Sequence, residues 1–372
     1  MASLPWPLCV PVLTDGTVTL RAHTPDDVAP MTEMATDPTT ARWTSVPSPY
    51  PPEAGEDFAL RHVPAQWDAG GDRGWAIETV DDHGRPRFAG NLDLRGSTVA
   101  DLGFVLHPWA RGRGCMRAAV ELALDWAFTE AGTEAVHWRA EVGNVASLRV
   151  AHAAGFRLVA TVPALLLQRD RVVDAWTGVR LFGDPPTART RWAAPPVVLT
   201  DRVRLRPLAQ TDLPRVVEAC SDDVTHHWLS HLPRPYTVAA ARAYLDDTAW
   251  RAATGAACTW ALADRSSDLL LGTVAVVDLA GWDRTAGEVT YLMHPDARGR
   301  GLLREALPAV VDHAFSPQGL DRRRLTAGAA AGNRASIAVL EAAGFARCGR
   351  ATAAEPVGDG TFDDVVELEL MR

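Results

Sequence analysis

Two short stretches carry the makings of an anion site: Arg111-Gly112-Arg113-Gly114-Cys115-Met116 and Arg298-Gly299-Arg300-Gly301-Leu302-Leu303. Each sets two residues without a Cβ and two guanidiniums ahead of an amphipathic helical pattern. The first N–H groups of a helix have no intrahelical partner, and the helix dipole is positive there. Such a turn can hold a phosphate or pyrophosphate. Downstream, Asn144 and Asn333 stand three residues before Ser147 and Ser336, at positions that read as helix N-caps.

The elements around these residues follow from periodicity. Residues 102–128, LGFVLHPWARGRGCMRAAVELALDWAF, change from a period of two to a helical period where the glycines fall. Val120, Leu124, Ala127 and Phe128 then share one face and predict a helix packed on a sheet. The same text recurs at 289–315, VTYLMHPDARGRGLLREALPAVVDHAF, so His-Pro-x-Ala-Arg-Gly-Arg-Gly is written twice.

The repeat extends along the chain. Val18-Thr19-Leu20-Arg21 matches Val203-Arg204-Leu205-Arg206, and Trp43, Trp75 and Asp93 have counterparts 185 positions later at Trp228, Trp260 and Asp278. The loops lie 187 apart and the Gly-Asn-x-Ala-Ser stretches 189 apart, each followed by Ala-Ala-Gly-Phe at 153–156 and 342–345. A period this long is no solenoid repeat; it predicts a duplicated domain in which each copy buries its own core. Pro185-Pro186 and Pro195-Pro196 bracket the junction. We expect domains at 1–184 and 197–372, joined by a proline-rich linker at 185–196.

Within each module an alternating strand leads to an acidic helix start, Thr24-Pro25-Asp26-Asp27 or Gln210-Thr211-Asp212-Leu213-Pro214, and then to a proline-rich loop ending near Tyr50 or Tyr236. Trp75 and Trp260 sit in strand patterns and read as core; Trp43, Trp228 and Tyr236, beside the proline-rich loop, are expected to contact substrate. Pro308 interrupts the helix of the second loop and predicts a kink or a shortened first turn.

Composition is that of a folded globular chain, 47% hydrophobic and 22% charged. A net charge of -9 argues against a nucleic-acid binder and favours a cationic partner such as an amine. Five cysteines, odd in number and without a CxxC pair, fit free thiols, a reducing compartment and no structural zinc. No stretch approaches 18 apolar residues, so no membrane partner is expected and the cytoplasm is the expected location.

The ordered set of strand, His-Pro-x-x-Arg-Gly-x-Gly turn, helix, strand, Asn-x-x-Ser and Gly-Phe resembles the GNAT acyltransferase superfamily, once per module. It resembles most the branch that acetylates the N-termini of ribosomal proteins. The resemblance implies an α/β (α+β) fold of two GNAT domains, each a mixed, splayed β-sheet flanked by helices. It implies an acyl-CoA, acetyl-CoA above all, as co-substrate and no metal.

The donor would lie along Leu106, His107, residues 111–116 and Asn144, or Met293, His294, residues 298–303 and Asn333. Asp101 and Glu288 would relay the proton of the amine through water, and Ser147 and Ser336 would protonate the leaving thiolate. Met116 and Leu303 depart from the family pattern, which ends its loop with Gly or Ala. Cys115 has Leu302 as its counterpart and no partnered base, so it reads as incidental.

The reaction expected is N-acylation of a primary amine by direct attack in a ternary complex. An α-amino group is about 10% neutral at pH 7 and a lysine about one part in a few thousand, a difference of roughly 3 kcal/mol that favours a peptide or protein N-terminus. Two alternatives stand beside it: a small-molecule amine such as an antibiotic or a carrier-protein thioester donor, and a non-catalytic acyl-CoA-binding module.

Overall fold

The computed structural model describes residues 10–372, so Cys9 lies outside the described residues. The chain divides into two compact units, one up to Arg189 and one from Thr190.

In the first unit, strands β1 (Leu13–Thr14), β2 (Val18–Arg21), β3 (Arg73–Val80), β4 (Pro86–Gly96), β5 (Val99–Leu106), β6 (Ala135–Glu141), β7 (Arg157–Gln168) and β8 (Arg171–Leu181) form one sheet, ordered β1-β2-β3-β4-β5-β6-β8-β7. Its helices are α1 (Val28–Thr36), α2 (Pro38–Trp43), α3 (Pro52–Asp57), α4 (Val63–Asp68), α5 (Cys115–Thr129) and α6 (Val145–Ala153). The second unit repeats this plan. Strands β9 (Val198–Leu199), β10 (Val203–Arg206), β11 (Cys258–Asp264), β12 (Leu270–Val277), β13 (Ala286–Met293), β14 (Arg324–Ala330), β15 (Ala346–Pro356) and β16 (Phe362–Met371) take the order β9-β10-β11-β12-β13-β14-β16-β15. Helices α7 (Leu213–Ser221), α8 (Asp223–Trp228), α9 (Val238–Ala253), α10 (Leu302–Phe315) and α11 (Arg334–Ala342) accompany them.

Local rules account for the shared frame. The first helical turn of each unit is anchored by an aspartate that accepts the N–H of its cap residue, Thr24 on Asp27 and Ala209 on Asp212, each at 2.8 Å. An arginine ending the preceding strand grips the same aspartate through two nitrogens, Arg21 on Asp27 and Arg206 on Asp212. Trp75 and Trp260 are fully buried, as alternation predicts, and their indole N–H groups donate to the carbonyls of Pro11 and Pro196 at 3.2 and 3.1 Å. Helix α5 turns Ala119, Val120, Ala123, Leu124 and Ala127 inward.

Both sheets part at the strand that leads to the glycine turn. Strand β5 pairs in parallel with β6 only from Val99 to Leu102, and β13 with β14 only from Ala286 to Glu288. Beyond those residues the neighbouring strands separate, which opens a split in each unit.

One expected equivalence is corrected, and of the two outcomes expected of Pro308 the shortened first turn does not occur. Asp93 and Asp278 are not equivalent: Asp93 pairs with Gly103, whereas the residue in that place in the second unit is Ala275, paired with Thr290. Gly90 opposite Leu106 matches Gly272 opposite Met293, only 182 positions apart. The β3–β4 hairpin has longer strands in the first unit and the next connection is longer in the second, so the spacing falls before it grows. Helix α10 keeps its first turn despite Pro308, beginning at Leu302 as α5 begins at Cys115. Pro308 and Arg304 are both exposed, so the carbonyl that loses its helical donor faces water.

Candidate active site

The turn glycines stand in the left-handed region: Gly112 at φ +74 and Gly114 at +81, Gly299 at +69 and Gly301 at +72. A Cβ built on Gly112, Gly114 or Gly299 meets no atom within 4 Å, and one on Gly301 meets only Arg202 Nη2 at 3.7 Å. The constraint is therefore conformational, and the space before the turn is open. Cys115, Met116, Leu302 and Leu303 bury their side chains in the core, leaving their backbone N–H groups at the helix start for an anion. The bulk of Met116 and Leu303 thus points away from the turn. The residues present fit a diphosphate.

The arginines divide into two kinds. Arg111 donates to the Leu106 carbonyl at 3.3 Å, to Asp37 at 2.6 Å and to Thr40 Oγ1 at 2.9 Å. Arg298 repeats this with the Met293 carbonyl, Asp222 and Thr225 Oγ1 at 3.2, 2.7 and 2.7 Å. Asp37 and Asp222 are the N-caps of α2 and α8, so these guanidiniums lash the turn to the neighbouring helix. Arg113 reaches the Val80 carbonyl and Asp82 and lies 5.4 Å from the Trp109 ring, while Arg300 reaches only the Asp296 carbonyl at 3.4 Å.

His107 and His294 are buried beneath the turn, each accepting a backbone N–H at Nδ1. Nε2 faces Glu33 at 3.5 Å in one and Glu218 at 3.0 Å in the other. Burial lowers the His107 pKa, opposed by Glu33. Both histidines hold the strand end in place.

Asn144 and Asn333 cap α6 and α11, accepting the N–H of Ser147 and Ser336 at 3.2 Å each. The serine hydroxyls then find different partners. Ser147 accepts from the Trp138 indole at 2.9 Å, whereas Ser336 is 2.6 Å from the Tyr291 hydroxyl. Burial raises the Tyr291 pKa and the hydrogen bond to Ser336 opposes it.

The carboxylates also differ. Asp101 is bound by Arg139 of β6 at 2.7 Å. Glu288 ends the stretch of β13 paired with β14, is half-buried, and its carboxylate makes no hydrogen bond or ion pair with any described residue. Burial, and secondarily the Asp278 carboxylate, push its pKa above the ordinary value.

A cavity of about 550 Å³ opens in the second unit along Val289–Met293, the turn, the end of β14 at Gly328–Ala330, and Asn333 and Ser336 of the α11 start. Trp228 and Leu229 line it, and so does Glu355. Trp43 instead lies under the guanidinium of Arg42 at 4.1 Å. Tyr236 occupies a core position in place of the substrate contact expected of it. It is buried among Leu213, Val216, Cys220 and Ala241, in hydrogen-bond range of the Cys220 thiol, whose pKa burial pushes up to about 11.

Sequence reasoning overlooked Tyr291, Trp138 and Glu355. A signal existed for the middle one: β6 reads Val-His-Trp-Arg-Ala-Glu where β14 reads Leu-Thr-Ala-Gly-Ala-Ala, so bulky and charged side chains in one copy stand where the other has small ones. Among the described residues no three His, Cys, Asp or Glu side chains gather as metal ligands, and no helix is long and apolar enough to cross a membrane.

Comparison with known proteins bears on both units. The acetyltransferase (GNAT) domain family matches residues 17–157 and 202–346. A probable N-acetyltransferase, YjcK, of Bacillus subtilis (strain 168) is 31% identical over 107 residues, covering 29% of this chain and 58% of that protein. The chain thus spans little more than half the length of that relative. Among solved structures, a ribosomal-protein-S5-alanine acetyltransferase from Vibrio fischeri covers 47% of this chain and 96% of its own at 20% identity and TM-score 0.42. A spermidine N-acetyltransferase from Vibrio cholerae, solved with CoA and spermine, covers 46% and 96% at 17% identity and TM-score 0.40.

Proposed function

This chain belongs to the acetyltransferase (GNAT) domain family; from that premise we propose that it is an acyltransferase whose second unit moves an acetyl group from acetyl-CoA to a primary amine, a peptide or protein N-terminus. The observation that carries this reading is the cavity of about 550 Å³, which joins the glycine turn to the parted strands of that unit. The donor's diphosphate rests on the backbone N–H groups of residues 298–303 with Arg300 beside them, and Asn333 shapes the path of its arm. Metal plays no part in the reading.

The amine must be neutral to attack. Glu288, unpaired and raised in pKa, takes the ammonium proton through water, and its longer reach distinguishes it from Asp101. The amine nitrogen then forms a bond to the acyl carbon, the carbon–sulfur bond breaks, and the sulfur leaves with the electron pair. The Ser336 hydroxyl, held by Tyr291 at 2.6 Å, supplies a proton to that thiolate and recovers one through water from the acylated nitrogen, which sheds its second proton as the amide forms. An α-amino group, with its lower pKa, asks less of Glu288 than a lysine does.

The first unit favours the narrower reading, donor binding without transfer, because Asp101 is already paired with Arg139. Incubating the full chain with acetyl-CoA and a panel of amines and N-terminal peptides, read by mass spectrometry, tests the proposal. Product on an α-amine is expected, and Glu288→Gln should lower kcat at least tenfold. An unchanged rate in that variant removes Glu288 from the mechanism.

A further inference from the structure

The two units place an aromatic ring at the same point and satisfy it differently. Trp43 and Trp228 each end the second helix of their unit. In the first, Arg42 lays its guanidinium over the Trp43 ring at 4.1 Å and donates to both carboxylate oxygens of Glu141 at 2.8 and 2.9 Å. Glu141, at the tip of β6, is only 7% exposed. Cation, ring and buried carboxylate are all supplied by the fold.

In the second unit the cation is missing from that set. His227 stands in place of Arg42 and packs edge-on against Trp228, with ring centroids 4.4 Å apart. Ala330 stands in place of Glu141 and lines the cavity. A carboxylate nevertheless returns from another strand, because Glu355 of β15 lines the same cavity. Glu355 is half-buried and its carboxylate makes no hydrogen bond or ion pair with any described residue.

The backbone that aims Glu355 is common to both units. Pairing breaks between Ala351 and Glu355 in one and between Val162 and Leu166 in the other. Inside each break an alanine takes a left-handed φ, +50 at Ala353 and +53 at Ala164. Its N–H is accepted by an aspartate of the next strand, Asp364 at 2.8 Å or Asp174 at 2.9 Å. Glu355 and Leu166 then resume pairing opposite Asp363 and Val173. Only the side chain differs.

We propose that the acceptor of the second unit carries a second positive charge, an ammonium or guanidinium, seated against the Trp228 ring and Glu355. The proposal rests on reading this cavity as the place where amine meets donor. The proton of the reacting nitrogen is already assigned to Glu288 on β13, which is no neighbour of β15 in the sheet. The charge matched by Glu355 therefore belongs to another group of the acceptor. A ring face and a carboxylate select for such a group, and the first unit presents the same chemistry with its own Arg42. Two sources share it: a basic side chain following a peptide N-terminus, or the far amine of a diamine.

Calorimetry on the full chain saturated with CoA tests this without requiring turnover. The probes are 1,4-diaminobutane against 1-aminobutane, and short peptides with lysine or norleucine after the N-terminal residue. The doubly charged member of one pair should bind about tenfold more tightly, and the pair that shows the preference identifies the source. Glu355→Gln should remove about fivefold of the preference and Trp228→Leu about threefold, each entering KM rather than kcat where product forms. Equal binding within both pairs overturns the proposal, as does a preference that survives both substitutions. A preference without any acetylated product would uphold the site and overturn the transferase reading instead; product without preference would do the reverse.

Discussion

Strands β6 and β14 occupy the same place in two copies of one domain and lead to opposite outcomes. In β6, Trp138 is 1% exposed and reaches Ser147, Arg139 holds Asp101, and Glu141 holds Arg42. In β14 the matching residues are Ala327, Gly328 and Ala330, so Ser336 turns to Tyr291 and Glu288 stands unpaired. Three substitutions on one strand thus convert groups that could serve chemistry into groups that serve packing. The lesson is that the turn motif reports the fold, while the strand on the far side of the split reports which polar groups beside it are left without a partner.

The strongest way to break this comparison is to disable each turn separately. Gly301→Val places a β-branched residue near φ +72 and screens the turn amides; transfer should fall at least a hundredfold, against less than threefold for Gly114→Val. Equal losses, measured as kcat/KM with acetyl-CoA, would mean that both units turn over.

Next in size is the carboxylate pair. Glu288→Gln should lower kcat at least tenfold and Asp101→Asn less than twofold, since Asp101 is already engaged by Arg139. The pH profile sharpens the contrast. Because the folded Glu288 pKa is raised, activity should fall as pH drops through that raised value, and the acid limb should vanish in Glu288→Gln. Stability runs the other way: the contribution of Glu288 is full below its ordinary pKa and lost as pH rises through the raised one. At neutral pH Glu288→Gln should therefore melt higher than the parent, and a lower melting temperature would contradict the burial assigned to the group.

The smallest effect concerns Tyr291, whose counterpart on β5 is Phe104. Tyr291→Phe removes the hydroxyl 2.6 Å from Ser336 and should lower kcat about fivefold with little change in the KM for acetyl-CoA. A fall confined to KM would assign Tyr291 to donor binding.

Much of this was legible in the chain itself. The glycines at 112, 114, 299 and 301, the caps at Asn144 and Asn333, and the buried Trp75 and Trp260 follow from rules that span a few residues. The Asp93 and Asp278 pairing misled because equal spacing in sequence concealed compensating changes in strand and loop length, which only strand register separates. Tyr236 misled because a tyrosine beside a proline-rich loop reads alike whether it faces a cavity or, as here, the Cys220 thiol.

By itself the sequence determined that one domain is present twice and that each copy turns from strand to helix through a loop with two left-handed glycines, since backbone conformation and hydrophobic period are properties of contiguous residues. The tertiary structure decided which acids are spent on arginines and whether the α6 or α11 serine meets an indole or a phenol. Those outcomes depend on side chains that meet across the split from strands and helices far apart in the chain, as Arg42 meets Glu141 and as Glu355 comes to line the same cavity as Trp228.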